Sequence, residues 1–239
     1  QTLFLTSIDP LTLRYDRILR FNTETGGEAV EVYYEEDDTY YYMNLWRSKD
    51  RRYIMVNSVA TLSNEIRFIH ADKPESAFLV FQPRQRDLIY AVFPFGEKFY
   101  VRTNDQAVNF RLMETPAGAT NRSNWREVIA HRPDVLLENV EVFDEFLVLQ
   151  ERSRGLRQLR IIDQLDGAEH YLPFQEEAYT AGIGANAEMS SRLLRFNYTS
   201  LTTPMSQYDY DMRSREQVLV KQQQVGGGFD ASLYETRRL

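Results

Sequence analysis

The residues able to carry out nucleophilic, acid–base or metal chemistry are few in this sequence. The chain has three histidines, His70, His131 and His170, and no cysteine. None of the histidines lies at metal-ligand spacing from another, and no thiolate is available to complete a site. No Gly-x-Ser-x-Gly elbow marks a nucleophilic serine. We therefore predict no catalytic residue, no metal site and no bound cofactor in this chain.

One glycine motif, Gly182-Ile183-Gly184-Ala185-Asn186-Ala187, nominally fits the dinucleotide-binding pattern Gly-x-Gly-x-x-Ala. That pattern holds a pyrophosphate only where it connects a strand to a helix. Residues 192–198 follow the motif and are predicted to form a strand. We therefore interpret the match as a coincidence.

Two charged clusters could attract a ligand. Glu35-Glu36-Asp37-Asp38 could bind a cation or a basic peptide, but it lacks the alternating ligands of a calcium loop, and an acidic loop between repeats explains it better. Arg152, Arg154 and Arg157 lie among acidic and apolar residues, which favours a solvated strand edge over a phosphate-binding track. The net charge of −7 also disfavours a nucleic-acid partner.

Two local patterns concern strand ends. Tyr40-Tyr41-Tyr42 could form part of a ligand-stacking surface, but its place at the start of an inner strand favours packing for alternate members. Glu151-Arg152-Ser153-Arg154-Gly155-Leu156 predicts a tight hairpin, in which Gly155 supplies a positive φ.

Short apolar segments recur along the chain, and these elements must position any site. Two series of matching positions repeat at spacings of 44 to 49 residues. The first series is Ile18, Ile66, Phe110, Leu159 and Tyr208. The second series is Val32, Leu79, Val128, Leu172 and Leu219. Because two independent series share one period, we interpret the chain as a structural repeat.

Each repeat contains four predicted strands, except the first, which contains three. The predicted strands are 2–8, 17–22, 29–34; 40–46, 52–58, 65–70, 77–82; 87–93, 98–103, 109–114, 126–130; 135–143, 145–150, 158–163, 170–174; and 179–185, 192–198, 207–212, 217–221. Four antiparallel strands at this period are typical of β-propeller blades.

The predicted fold is therefore all-β, with about five propeller blades of which the first is incomplete. The apolar runs 78–81 and 146–149 are expected to be central strands buried on both faces. An all-β sandwich is the structural alternative, although it does not require a regular four-strand grouping.

The cellular context is predicted from what the sequence lacks. The absence of cysteine fits a reducing compartment, and neither a membrane-spanning segment nor a signal peptide is visible. We predict a cytoplasmic location and no membrane partner. The chain begins inside a predicted strand, so we expect it to be truncated, which leaves a periplasmic parent open.

Four motifs occur in a fixed order along the chain. They are Glu35-Glu36-Asp37-Asp38-Thr39-Tyr40-Tyr41, Glu151-Arg152-Ser153-Arg154-Gly155-Leu156, Tyr198-Thr199-Ser200-Leu201-Thr202-Thr203-Pro204, and Gly228-Phe229-Asp230 with Tyr234-Glu235-Thr236-Arg237-Arg238-Leu239. Their order and spacing resemble the propeller domain of the oligopeptidase B (protease II) branch of the prolyl oligopeptidase family of serine peptidases. The resemblance covers essentially the whole chain.

The resemblance implies a seven-bladed propeller that caps an α/β-hydrolase domain carrying Ser, Asp and His. It also implies cleavage of peptides after Lys or Arg, with folded proteins excluded. We expect residues 1–225 to form a partial propeller and residues 226–239 to lead to a missing catalytic domain. The expected partners are that domain and peptide substrates, and the chain alone is expected to be inactive. Exposed blade edges predict that the chain either self-associates or closes into a smaller ring.

Two other functions are compatible with a propeller. The first is a free-standing protein-interaction scaffold without an attached enzyme. The second is a propeller-fold enzyme such as a glycosidase, which needs converging carboxylates on its inner strands. The predicted inner strands carry mostly Tyr and Asn together with Glu138 and Glu141, and no pair of carboxylates is evident.

Overall fold

The computed structural model describes residues 1–238, and its regular secondary structure is almost wholly antiparallel strands, arranged in five sheets. Sheet 1 contains β1 (Thr2–Ile8), β2 (Tyr15–Asn22) and β3 (Val30–Tyr34). Sheet 2 contains β4 (Tyr42–Arg47), β5 (Tyr53–Val59), β6 (Asn64–His70) and β7 (Leu79–Val80). Sheet 3 contains β8 (Tyr90–Phe95), β9 (Lys98–Thr103), β10 (Arg111–Pro116) and β11 (Arg126–Ile129).

The remaining strands form two further sheets. Sheet 4 contains β12 (Val135–Val142), β13 (Phe146–Ser153), β14 (Leu156–Asp163) and β15 (Glu169–Tyr171). Sheet 5 contains β16 (Tyr179–Ile183), β17 (Leu193–Ser200), β18 (Ser206–Asp211) and β19 (Gln217–Gln222). Neighbouring strands in every sheet follow chain order. The predicted grouping into one set of three strands and four sets of four is therefore confirmed.

The sheets belong to two compact units. The first unit comprises Gln1–Gln106 and Leu112–Ile129 and holds sheets 1 to 3. The second unit comprises Ala107–Arg111 and the chain from Ala130 onward, and it holds sheets 4 and 5. No helix among residues 1–238 is long and apolar enough to cross a membrane. Leu239, the last residue of the predicted linker, lies outside the described residues.

The core of the first unit is aromatic. Tyr53, Phe68 and Phe81 surround Phe99, with ring centroids 5.1 to 5.7 Å from it. Phe99 is fully buried. Rings at these distances add to the energy of simple area burial, so sheets 2 and 3 are held together mainly by this cluster.

The core of the second unit lies between sheets 4 and 5. Val148 and Ile161 of sheet 4 pack with Leu194 and Phe196 of sheet 5, and all four are at most 1% exposed. A single thin sheet could not hide these side chains on both faces. The stacking of neighbouring sheets therefore supplies the burial that the apolar repeat predicted.

The two apolar runs predicted as central strands behave differently. Residues 146–149 are buried throughout and lie in β13, the second strand of sheet 4, as predicted. Residues 78–81 instead include the two-residue outer strand β7, where Leu79 is 58% exposed. That prediction was wrong because an apolar run does not reveal whether its strand lies inside the sheet or at its edge.

The equivalence of Phe110 with Ile66 and Leu159 was also wrong. Phe110 has a φ of 63° and precedes β10. In that strand it is Leu112 that is fully covered, as are Ile18 and Leu159. Leu112 lies 46 residues after Ile66 and 47 before Leu159, so the structural repeat is more regular than the predicted one.

The outer strand of sheet 5 is exposed along its whole length. Val218, Leu219 and Val220 of β19 are 65%, 47% and 47% exposed, respectively. An exposed apolar edge strand can pair with another chain. Self-association through such an edge stays a prediction.

The β13–β14 hairpin has the predicted turn. Ser153 pairs with Leu156, which leaves Arg154 and Gly155 as a two-residue loop. Their φ values are 50° and 81°, as a type I′ turn requires. A β-carbon on Gly155 would meet only Arg238 Nη2, at 3.4 Å, so the glycine is needed for its backbone conformation.

Substitution Gly155→Ala is expected to lower the free energy of unfolding by about 1 to 2 kcal/mol, because alanine is strained at positive φ. Gly118→Ala is the matched control, since Gly118 has no positive φ and an added β-carbon would have no neighbour within 4 Å. Urea unfolding of both variants measures the difference. Equal losses would show that the turn does not need a glycine.

Candidate functional site

Glu176 lies in the loop between β15 and β16, and its carboxylate is surrounded by hydroxyl groups. Tyr198 Oη donates to it at 2.5 Å, Ser200 Oγ at 2.6 Å and Thr203 Oγ1 at 2.9 Å. Thr202 Oγ1 also donates to Oε1. These donors all come from the end of β17 and the turn that follows, which is the Tyr198–Pro204 motif.

The C-terminal segment, residues 226–238, returns to this carboxylate. Thr236 is 7% exposed, and its Oγ1 lies 3.3 Å from Glu176 Oε1 and 3.1 Å from Thr202 Oγ1. Two residues later, the Arg238 amide donates to Glu177 Oε2 at 3.1 Å. Glu176 and Glu177 therefore fasten the segment to sheet 5. We call Glu176 with its five hydroxyl donors the carboxylate clasp.

The clasp keeps Glu176 ionised. Desolvation alone raises the pKa of a carboxyl group, but the hydrogen bonds from Ser200, Thr202, Tyr198 and Thr203 outweigh it and lower the pKa of Glu176 to about 2. Burial and the neighbouring carboxylate raise the pKa of the Tyr198 phenol, so this group remains a donor. The clasp thus carries a negative charge at neutral pH.

The acidic run Glu35-Glu36-Asp37-Asp38 lies in the loop between β3 and β4, as predicted, but its first residue is buried. Glu35 is 3% exposed, and it accepts two hydrogen bonds from the Arg84 guanidinium, at 2.8 and 3.1 Å. Tyr33 Oη donates to the same carboxylate at 2.6 Å. Glu35 thus joins sheet 1 to the loop after β7.

Arg84 binds a second buried carboxylate. Its Nη2 lies 3.2 Å from Glu65 Oε1, and its backbone amide donates to Glu65 Oε2 at 3.0 Å. The guanidinium also covers the ring of Tyr40, 3.9 Å from the centroid. Tyr40 is buried against this cation and precedes β4, whereas Tyr41 and Tyr42 are 55% and 43% exposed. Packing therefore explains one member of the tyrosine triplet.

Two arginines of the basic cluster share one carboxylate. Arg152 Nε and Arg157 Nε donate to the two oxygens of Glu138 at 2.6 and 2.7 Å. Burial alone would raise the pKa of Glu138. The two arginines and Gln150 outweigh the effect of burial, so the pKa of Glu138 is lowered. Such a pair is a structural ion-pair arrangement rather than a phosphate-binding track.

The three histidines lie apart. His170 Nε2 lies 2.9 Å from Tyr210 Oη, and the His70 ring packs 4.9 Å from that of Tyr53. Among residues 1–238, no group of three or more His, Cys, Asp or Glu side chains is arranged to hold a metal. The expectation of no catalytic, cofactor or metal site stays a prediction.

The glycine motif at 182–187 connects β16 to β17, so no helix follows it. A β-carbon on Gly184 would lie 3.1 Å from the Arg195 carbonyl oxygen. Gly184 therefore permits the close approach of two strands, and this explains the glycine without a dinucleotide.

Comparison with known proteins decides the family. The family described as "Prolyl oligopeptidase, N-terminal beta-propeller domain" matches residues 1–223. The chain belongs to this family. Membership confirms the predicted β-propeller fold and the resemblance on which the sequence interpretation rested.

Individual relatives agree with the family assignment. The chain is 38% identical to dipeptidyl aminopeptidase BI of Pseudoxanthomonas mexicana over its full length, which is 33% of that protein. It is 23% identical to protease 2 of Moraxella lacunata, covering 99% of this chain and 34% of the relative. Oligopeptidase B from Trypanosoma brucei, solved with covalently bound antipain, superposes with a TM-score of 0.87 at 27% identity.

That superposition covers 97% of this chain and 34% of the trypanosomal enzyme. The chain therefore spans about a third of the length of these relatives. The similarity concerns the propeller domain of family members.

Proposed function

We propose that this chain is the non-catalytic propeller of a serine oligopeptidase that cleaves peptides after Lys or Arg. The match of residues 1–223 to the propeller domain of the family carries the proposal. The similarity to proteins named oligopeptidase B and protease 2 supports it further. In this proposal an α/β-hydrolase domain belongs to the same polypeptide, residues 226–239 lead toward it, and the location is cytoplasmic.

The proposed mechanism is exclusion. A propeller over the active-site cleft admits a flexible peptide and holds back a folded protein. A chamber that excludes water strengthens the electrostatic stabilisation of a charged intermediate. The net charge of −7 favours the approach of cationic peptides and opposes that of anionic ones.

The chain alone is expected to hydrolyse no Lys or Arg peptide ester, because it contains no nucleophile elbow. The assay compares a purified preparation with one treated with a serine-directed inhibitor. Turnover that purifies with the chain would contradict the proposed non-catalytic role. A stop codon directly after Leu239 would instead favour the free-standing scaffold.

Release of dipeptides is a second candidate activity, because the relative at 38% identity is named a dipeptidyl aminopeptidase. The two activities are separable in the full-length protein with Ala-Arg and acetyl-Ala-Arg reporter substrates. An endopeptidase cleaves both, whereas a dipeptidyl peptidase requires the free amino terminus. Cleavage of neither substrate would contradict both candidates.

A further inference from the structure

A cavity of about 700 Å³ lies in the second compact unit, beside the carboxylate clasp. Its walls come from the β15–β16 loop, from β17 and β18, and from the C-terminal segment. The volume falls within the range of about 300–1,000 Å³ that is usual for small-ligand sites. The cavity is open to solvent on the side of the C-terminal segment, where Tyr234 is 61% exposed.

The charge of the cavity has one sign. Three carboxylates line it, those of Glu176, Glu177 and Glu235, and the part of the chain that the structure describes contributes no Lys, Arg or His to the lining. Glu235 pairs with Arg237 at 2.8 Å. Glu176 is satisfied by neutral hydroxyl groups, so its charge is uncompensated by a cation.

Aromatic side chains form much of the remaining wall. Phe196 stacks on Tyr208 at 5.3 Å, and Phe174 stacks on Tyr198 at 5.4 Å. Tyr234 at the opening stacks on Phe229 at 5.7 Å. Ring faces next to uncompensated carboxylates attract cations that are planar and weakly hydrated.

We propose that this cavity binds a guanidinium group, carried by an arginine side chain of a peptide. The guanidinium stacks on the aromatic wall and donates to Glu177, whose carboxylate is on the exposed loop and accepts from the Arg238 amide at one oxygen only. The Glu176 carboxylate, whose oxygens already accept hydrogen bonds from hydroxyl groups, adds negative potential to the cavity. The inference goes beyond the proposed peptidase function and does not depend on it, because binding is measured on this chain alone.

The test is calorimetric titration of the whole chain with N-acetyl-arginine methylamide and with its citrulline analogue, which has the same shape without the charge. The arginine compound is expected to bind at least about tenfold more tightly, which corresponds to about 1.4 kcal/mol. Its affinity is expected to fall as salt is added, because the attraction is partly screened.

Variants locate the site. Glu177→Gln and Tyr234→Ala alter exposed side chains and should each weaken arginine binding about tenfold without changing the unfolding curve. Glu28→Gln, an exposed acid of the first unit, is the matched control and should leave binding unchanged. The proposal is overturned by equal affinities for the arginine and citrulline compounds, or by equal affinities of Glu177→Gln and Glu28→Gln for the arginine compound.

Discussion

Replacement of Arg84 by alanine is expected to lower the free energy of unfolding by about 3 kcal/mol, because it leaves the buried carboxylate of Glu35 without its cation. The side chains of Glu35 and Glu65 are 4% and 5% exposed. Arg84 pairs with both, but Glu65 keeps a second cation, Arg67, at 2.6 Å. Tyr40 loses the cation over its ring as well. Urea unfolding at pH 7 measures the loss.

Three companion variants sharpen this result. Arg86→Ala removes a side chain that is 87% exposed and should cost less than about 0.5 kcal/mol. Arg84→Lys keeps the charge but cannot form the two-point contact with Glu35, so an intermediate loss is expected. Arg84→Met with Glu35→Gln removes both charges of the pair, so no buried Glu35 carboxylate is left unpaired, and part of the stability lost in Arg84→Ala should be recovered. Equal losses for Arg84→Ala and Arg86→Ala would show that the network is energetically unimportant.

The Arg84 network also predicts a pH dependence. Burial alone would raise the pKa of Glu35. Hydrogen bonds from Arg84 and Tyr33 outweigh the effect of burial, so the pKa lies below the ordinary value of 4.5. A lowered pKa contributes stability above the unfolded value, and this stability is lost as the pH falls below about 4.5. In Arg84→Ala the unpaired carboxylate of Glu35 is instead relieved by protonation as the pH falls. The stability gap between wild type and variant should therefore narrow between pH 7 and pH 4.

Replacement of Glu176 by alanine is expected to release the C-terminal segment from sheet 5. Hydrogen bonds to a charged group contribute about 1.5 to 3 kcal/mol, so loss of the acceptor should speed amide exchange across residues 231–238 by at least about tenfold. Hydrogen exchange read by mass spectrometry measures this. The β12–β15 peptides should be unaffected.

Control variants distinguish the loss of the clasp from the loss of an acidic charge in general. Glu216→Ala removes an exposed acid of the same sheet and should leave exchange of the segment unchanged. Thr236→Val removes one hydroxyl donor and should give a smaller acceleration than Glu176→Ala. Because the pKa of Glu176 is about 2, the clasp is complete above the ordinary carboxyl pKa of 4.5 and is lost as the pH falls from there toward 2. Unchanged amide exchange of residues 231–238 in Glu176→Ala would show that the clasp does not hold the C-terminal segment.

The strands were predictable because their signals are local. All 19 strands were predicted from the alternation of apolar residues within six to eight positions and from the repeat of 44 to 49 residues. The errors concerned strand ends, such as Phe110, and the edge strand β7. The type I′ turn at Gly155 was likewise encoded by adjacent residues. Local steric preferences suffice for such features.

The contacts of the buried carboxylates could not be predicted from such local signals. Glu35 and Arg84 are 49 residues apart, and four consecutive acids do not indicate which one points inward. The clasp joins Glu176 to Thr236 across 60 residues. The hydroxyl-rich Tyr198–Pro204 motif was the available signal, since strand alternation places Tyr198 and Ser200 on one face, but nothing local identified their acceptor.

The order of strands within the sheets bears on how the chain acquires its structure. Every hydrogen-bonded strand pair joins segments that are consecutive along the chain, so each pairing closes only a short loop and costs little chain entropy. A sheet can therefore assemble soon after its last strand has been synthesised, without waiting for distant sequence. Pairings of this low contact order are expected to favour stepwise folding on the ribosome, one sheet after another from the amino terminus.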